Sequence, residues 1–429
     1  MPRVRADSVM MAESLAASAP APLLVSWNLT RLCNLACAHC YLDAVQRKRQ
    51  ARDELTTDQA REVVGELAEL APGAMVVFSG GEPLMRRDFA TLIETAAARG
   101  LVPVVGTNGT LLDEHRARRL KAAGALGVGI SLDSAEPPFH DRLRGLQGAW
   151  DGAMRGISAA RRAGLAILLQ STLFEANRQD LARLSEIAEA VGAVAFNVFF
   201  LVCTGRGVTQ TDLSSEAYEE ALAQIARLQR EHPAVKVRAR CAPYLRQVMG
   251  LRAGESGGGY ADWSSACLAG RRYFRITPQG QITPCPYVPE VAGDLREQPL
   301  RAIWETHPTF RRLRNELPGG KCGECDYRYS CGGCRARALA RHGDVMAEDP
   351  KCRHVRPQDR APEAPPAAAR NSGVTWEPEA EERLNRIPAF VREFVKTRVE
   401  QHALQQGINS ITAEFLAARR PPARLIFPR

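Results

Sequence analysis

Cys33, Cys37 and Cys40 stand in a Cys-x3-Cys-x2-Cys array. Three thiolates can hold three irons of a [4Fe–4S] cube and leave the fourth iron open. An open iron is a place for chemistry, whereas a fully ligated cube mainly moves electrons. Seven more cysteines follow as Cys267-x12-Gly280-x4-Cys285, then Cys322-x2-Cys325-x5-Cys331-x2-Cys334, then Cys352 after seventeen residues. Cys203 and Cys241 complete the twelve. Residues 1–20 carry arginines but no sustained apolar core ahead of a cleavage site, so they read as a short disordered leader and not as a secretory signal. In a chain read as cytoplasmic, cysteines this tightly spaced argue for metal or iron–sulfur binding over disulfides. A zinc ribbon accounts for four of them and leaves the N-terminal array unexplained.

These side chains need a scaffold that brings their loops together. Apolar β-type runs at 23–28, 75–79, 102–106, 126–132, 166–172 and 194–202 alternate with helical patterns at about 56–70, 88–99, 113–123, 150–163 and 179–191, and a helix at about 214–230 follows. Six β-α units in series predict a parallel sheet with helices outside, too short to close as an eight-fold barrel. The fold class expected is therefore α/β: a partial (β/α)6 TIM-like barrel, a cysteine-rich domain and a small C-terminal helical domain. Sites in such sheets lie at the carboxyl ends of the strands, where the first cysteine array falls. The divisions expected are a leader at 1–22, the barrel at 23–213, a bridge at 214–265 with a glycine-rich patch at 254–259, the cysteine-rich domain at 266–354, a Pro/Ala-rich linker at 355–373 and the helical module with a basic tail at 374–429. In that module Thr375 is the expected N-cap, Pro388 opens the second helix and Gly407 ends it. The formal net charge of +9 suits either a solvated surface or attraction of an anionic substrate or an acidic electron-donor protein. No nucleic-acid motif and no run apolar enough to span a membrane is present.

After the second expected strand comes Gly80-Gly81-Glu82-Pro83, after the third Gly106-Thr107-Asn108-Gly109, and after the fourth Ser131-Leu132-Asp133-Ser134, with Arg144 further on. In this order, and behind the three-cysteine loop, they strongly resemble the radical S-adenosylmethionine (SAM) superfamily. The resemblance implies that Cys33, Cys37 and Cys40 hold a [4Fe–4S] cluster whose open iron is chelated by the SAM methionine moiety. It implies that Gly80, Gly81, Glu82 and Pro83 bind the SAM amino group, that Asn108 belongs to the superfamily's turn, that Ser131 contacts the ribose and that Arg144 pairs with the SAM carboxylate. Gln170, Thr172 and Phe199 then line either the adenosine pocket or the core. An electron passed to the sulfonium yields methionine and a 5′-deoxyadenosyl radical, which abstracts hydrogen from an unactivated carbon.

The seven later cysteines closely resemble the SPASM domain, which carries auxiliary iron–sulfur clusters; the usual x3 between the last pair is x2 here, at Gly332-Gly333. The resemblance implies a distal cluster on Cys322, Cys325, Cys331 and Cys352 and a proximal one on Cys267, Cys285 and Cys334. The proximal cluster lacks a second upstream cysteine near Cys267, so its fourth iron is open or recruits Cys241 or Cys203. The expectation is the open form, able to take a substrate carboxylate. Residues 199–207, Cys241-Ala242-Pro243 and residues 331–337 and 347–352 are similar to radical SAM enzymes of heme b and heme d1 biosynthesis. The C-terminal module is similar to the domain closing the B subunit of light-independent protochlorophyllide reductase. Together these imply a tetrapyrrole substrate altered at its propionates, with arginines such as Arg206 pairing with them, and a ferredoxin- or flavodoxin-type electron donor. The alternative is a SPASM-type maturase acting on a ribosomal peptide or a partner enzyme.

Overall fold

The computed structural model describes residues 19–42, 44, 46, 51–251, 267–365, 374–387 and 389–418. Most of the expected leader, the glycine-rich patch, Pro388 and part of the linker lie outside them. Ten strands form one sheet in the order β10-β9-β8-β1-β2-β3-β4-β5-β6-β7. Strands β1 (Leu24–Asn28), β2 (Met75–Ser79), β3 (Val102–Thr107), β4 (Gly127–Ser131), β5 (Ala166–Leu173), β6 (Ala195–Phe200) and β7 (Lys236–Arg240) run parallel, each paired with the next. Between them run the helices Thr57–Leu70, Phe89–Ala98, Glu114–Ala122, Ala149–Arg162, Leu181–Ala190 and Ser215–Glu231, within two residues of the periodicity reading, and a further helix that it did not include, Pro137–Arg144.

The sheet extends beyond the six strands expected. The stretch read as a bridge supplies the helix Ser215–Glu231 and the seventh strand. On the other side, β8 (Tyr273–Ile276) of the cysteine-rich region pairs in parallel with β1, and β9 (Gln281–Thr283) and β10 (Gly293–Asp294) continue antiparallel. The run β8, β1–β7 curves as a partial barrel whose ends, β7 and β8, do not pair with each other. A fully alternating pattern explains why β7 was missed: Lys236, Arg238 and Arg240 alternate with buried Val237 and Ala239. That reads as a polar segment unless one face is known to meet a core.

The two faces of the sheet differ in kind. Val25, Trp27, Val76, Phe78, Val128, Ile130, Leu169, Phe196, Val198 and Val237 pack with the helices in one apolar core. The alternate positions on the lumen face carry Ser26, Asn28, Ser79, Ser131, Gln170, Thr172, Asn197 and Arg240 among apolar Val77, Leu168 and Phe199. Closed barrels fill that space with bulky branched side chains; a polar lining leaves it for a ligand.

In the C-terminal module the expected N-cap is corrected. Thr375 lies in a two-residue strand (Thr375–Trp376) paired with Ser410–Ile411, and the helix Pro378–Asn385 starts after Glu377. The next helix, Ala389–Gln405, ends before Gly407, whose φ of +68° suits a glycine terminator.

Candidate active site

The cysteine array hangs from the end of β1 and is zipped onto the loop after β2. Leu29 N–H donates to Ser79 O (2.8 Å), Gly81 N–H to Thr30 O (2.7 Å) and Glu82 N–H to Leu32 O (2.8 Å). A Cβ on Gly81 would stand 2.3 Å from Leu32 O, and one on Gly80, at φ +147°, 2.6 Å from Thr30 O. The two glycines are thus required by the approach of the cysteine loop itself.

Glu82 is fully buried and ties that loop to the next. Its carboxylate accepts from Leu84 N–H (3.1 Å), Thr107 Oγ1 (2.9 Å) and Asn108 N–H (2.9 Å). Burial pushes its pKa up to about 7 against the pull of those donors. Asn108 Nδ2 donates to Asn34 Oδ1 (2.9 Å), inside the cysteine array, and Asn34 Nδ2 to Thr110 Oγ1 (2.8 Å). Ser131 stands half-buried at the end of β4, in register with Gln170.

Asp133, two residues past Ser131, is the hub of the site. It is fully buried, and its Oδ2 pairs with Arg144 Nη2 at 2.6 Å. Arg144 Nη1 lies 3.7 Å from Cys37 Sγ, and His39 Nε2 3.4 Å from Asp133 Oδ2. Burial alone would raise the Asp133 carboxyl, but Arg144, His39 and His140 outweigh it and the pKa falls. Burial lowers His39 to about 4, so at neutral pH it is an uncharged imidazole beside the carboxylate. His140 Nδ1 accepts from Asp133 N–H (3.2 Å) and is likewise lowered to about 4, by burial first and Arg144 second. The sequence reading passed over Asn34, His39 and Asp133. Asp133 had a signal: an acid at the carboxyl end of a parallel strand.

Arg206 does something other than expected. Its Nε donates to Cys37 O and its Nη1 to Ala44 O, both at 2.9 Å, and its own N–H donates to Cys40 O (3.0 Å). It braces the cysteine loop from the 205–209 turn, and the propionate role does not fit this placement.

The later cysteines separate into two sets. Cys285 and Cys334 sit in one buried cluster, with Cys267 and Cys241 packed against it. Burial pushes the Cys285 thiol well up, and Cys267, Cys241 and Cys334 push it further. Cys331 is raised by burial and then by Cys352 and Cys322, and Cys325 to about 11 by burial, Asp326 and Cys322. Asp349 links the sets, accepting from Cys334 N–H (2.7 Å) while its own N–H points at Cys322 Sγ (3.4 Å). Cys203 is exposed and stands apart.

The donor set fits iron–sulfur ligation. Backbone N–H groups reach sulfur at Cys33, Cys40, Cys285, Cys325, Cys331 and Cys322, all at 3.3–3.4 Å. Such bonds stabilise charge on cluster thiolates and tune their potential. Cys33, whose pKa burial raises to about 12, stays protonated until a metal displaces its proton.

The Radical SAM superfamily model matches residues 27–188, the iron–sulfur cluster-binding domain model SPASM matches 267–334, and that of the proto-chlorophyllide reductase 57 kD subunit matches 376–420. The chain is 38% identical to the AdoMet-dependent heme synthase of Methanosarcina barkeri, covering 77% of this chain and 96% of that one. It is 30% identical to the PqqA peptide cyclase of Granulibacter bethesdensis, over 77% and 87%. Streptococcus suis SuiB bound to S-adenosylmethionine shares the fold, with a TM-score of 0.62 and 15% identity over 81% of this chain and 80% of that one. The chain belongs to the radical SAM enzymes that carry a SPASM iron–sulfur domain.

Proposed function

We propose that this enzyme cleaves SAM reductively and modifies a tetrapyrrole at its propionate side chains, by oxidative decarboxylation to vinyl groups: the propionate loses a hydrogen atom and then carbon dioxide, and the one electron left over would leave to an external acceptor by way of the auxiliary clusters. Cys33, Cys37 and Cys40 would hold the SAM-binding cluster, and the later cysteines the auxiliary ones. When bound, the first cluster and SAM supply the hydrogen-abstracting radical. The chain's own residues place the loop: Arg206 and Asn108 brace it, and Arg144 is held against Cys37 by Asp133. Ser131, Gln170 and Thr172, on the lumen face, would line the adenosine site.

The observation that carries the substrate class is the cationic wall at the open edges of the barrel. Arg238 and Arg240 on β7 and Arg275 on β8 lie on the face opposite the one that Val237, Ala239, Phe274 and Ile276 bury in the core. Arg240 Nε donates to Asn197 Oδ1 (3.4 Å). Arg275 Nε donates to Asn28 Oδ1 (2.6 Å), and its guanidinium lies 5.9 Å from the Tyr41 ring, next to Cys40. Guanidinium groups match carboxylates in shape and charge, and a heme-type precursor presents several. The likeness to a heme synthase supports the same reading. The likeness to a peptide cyclase supports the alternative, a peptide substrate.

A ferredoxin- or flavodoxin-type donor in the cytoplasm would supply the electron, since free thiols in this number call for a reducing compartment. Among the described residues no helix is long and apolar enough to cross a membrane. The test is anaerobic turnover of reduced enzyme with SAM and Fe-coproporphyrin. The expected result is a bound Soret band, 5′-deoxyadenosine and carbon dioxide. Arg240→Ala and Arg275→Ala should each raise the porphyrin KM roughly tenfold through a lost charge-assisted pair while porphyrin-independent SAM cleavage persists. Normal SAM cleavage with neither binding nor turnover across several porphyrins would sink the tetrapyrrole.

A further inference from the structure

We propose that Cys241 is the fourth sulfur ligand of the proximal auxiliary cluster, joining Cys267, Cys285 and Cys334 and closing the iron that the cysteine spacing leaves open. This rests on the reading of those three as iron–sulfur ligands, and it replaces the expectation of an iron free to take a substrate carboxylate.

Two independent observations support it. The first is position. Cys241 follows β7 directly and packs against the buried cluster that contains Cys285 and Cys334, beside Cys267. Cys203, the other spare thiol, is exposed.

The second is backbone conformation. Among the described residues, Cys241 is the one non-glycine with a positive φ, +56°. Left-handed backbone is disfavoured for a residue with a Cβ and persists where the surroundings over-determine it, most often at functional sites. Here the surroundings are specific. The Cys241 carbonyl accepts from Arg337 Nη2 and from Tyr218 Oη (3.5 Å), and Arg337 Nη2 also donates to Tyr218 Oη at 2.6 Å. Arg337 lies on the helix Arg335–His342, which begins directly after Cys334. The element that carries one proximal cysteine therefore fixes the backbone of the other. A cysteine kept merely for packing gains nothing from this conformation, and glycine would adopt it with less strain.

The placement has a mechanical consequence. β7 and β8 end the parallel run and do not pair with each other. Cys241 leaves β7, Cys267 precedes β8 and Cys285 follows β9. A cluster on these residues staples the seam that the sheet leaves open.

The test uses the full chain, reconstituted anaerobically with iron and sulfide, in a Cys33→Ala/Cys37→Ala/Cys40→Ala background that retains only the auxiliary clusters. That parent should hold about eight irons and, probed with ¹³C-cyanide, show no carbon coupling by electron–nuclear double resonance after reduction. Cys241→Gly, which suits the positive φ, should either lose about four irons or acquire a ¹³C coupling at an opened iron. Cys241→Ser should keep the iron with a shifted electron paramagnetic resonance signal, and Cys203→Ala should match the parent. A parent that already binds cyanide at an auxiliary cluster overturns the proposal. So does a Cys241→Gly protein with full iron and no coupling. A parent with no auxiliary iron would instead overturn the iron–sulfur reading on which the proposal rests.

Discussion

Cys33, Cys37 and Cys40 come from one short loop, whereas the auxiliary cysteines come from segments spread between residues 267 and 352. The loop has little fold of its own. It is held from outside, by the glycines after β2, by Asn108 after β3, by Arg144 beyond β4 and by Arg206 beyond β6. The auxiliary region instead holds itself, through Asp349, Arg335 and Arg337 reaching between its own turns and to Cys241. The difference suits the tasks proposed for the two regions. A cluster with an open iron needs its ligands crowded to one side and the strand ends of the barrel on the other. A relay cluster needs enclosure, which ligands gathered from distant turns provide.

The contrast breaks most sharply by removing one sulfur on each side. Cys37→Ala should bring SAM cleavage to background, measured as 5′-deoxyadenosine from reduced enzyme. Cys331→Ala should leave substrate-independent cleavage largely intact and abolish product. Equal loss in both variants would mean that the two regions do not work separately. A smaller effect sharpens the comparison. Arg206→Ala removes two guanidinium bonds to loop carbonyls, a loss of ~1.5–3 kcal/mol, and a misplaced loop should slow SAM cleavage roughly tenfold or more with substrate KM unchanged. A raised KM with normal cleavage would instead return Arg206 to the role of a propionate partner.

The same contrast governs how much was legible in the sequence. Strand and helix periodicity located the barrel, because each β-α unit is a local pattern with an apolar face. The three-cysteine array was legible because its ligands are neighbours in the chain. What stayed hidden was tertiary. Arg206 read as a substrate ligand because nothing local says that its guanidinium turns back to Cys37 O and Ala44 O. Asp133 read as one acid in a turn until Arg144, His39 and His140 converged on it. Thr375 had the composition of a cap but pairs with Ser410 as a strand. The pairing of β8 with β1 was beyond reach because it joins segments some 250 residues apart.

The histidines around Asp133 offer the mildest test, on stability and not on turnover. His140 is 1% exposed, and its pKa falls from the ordinary 6.5 to about 4. Between those values the unfolded chain binds a proton that the folded chain does not. Stability therefore rises with pH by ~1.4 kcal/mol per unit for this group; it is complete above 6.5 and lost as pH falls toward 4. Glu82 runs the other way: its carboxyl is raised from 4.5 to about 7, so its contribution is present below 4.5 and lost as pH rises to 7. The two slopes oppose each other over most of one window, so a wild-type profile conceals both. His140→Asn separates them. Asn Oδ1 hangs from Cγ as Nδ1 does and can accept the Asp133 N–H, while the titration is gone. Thermal midpoints from pH 4 to 7 should show the variant gaining on the wild type as the solution is acidified, with neutral-pH SAM cleavage unchanged. A pH-independent difference would mean that His140 titrates in the fold as it does in the unfolded chain, and so takes up a proton below 6.5. The buried Asp133–Arg144 pair would then face a second cation in acid, and the reading of His140 as a neutral acceptor of the Asp133 N–H would be wrong.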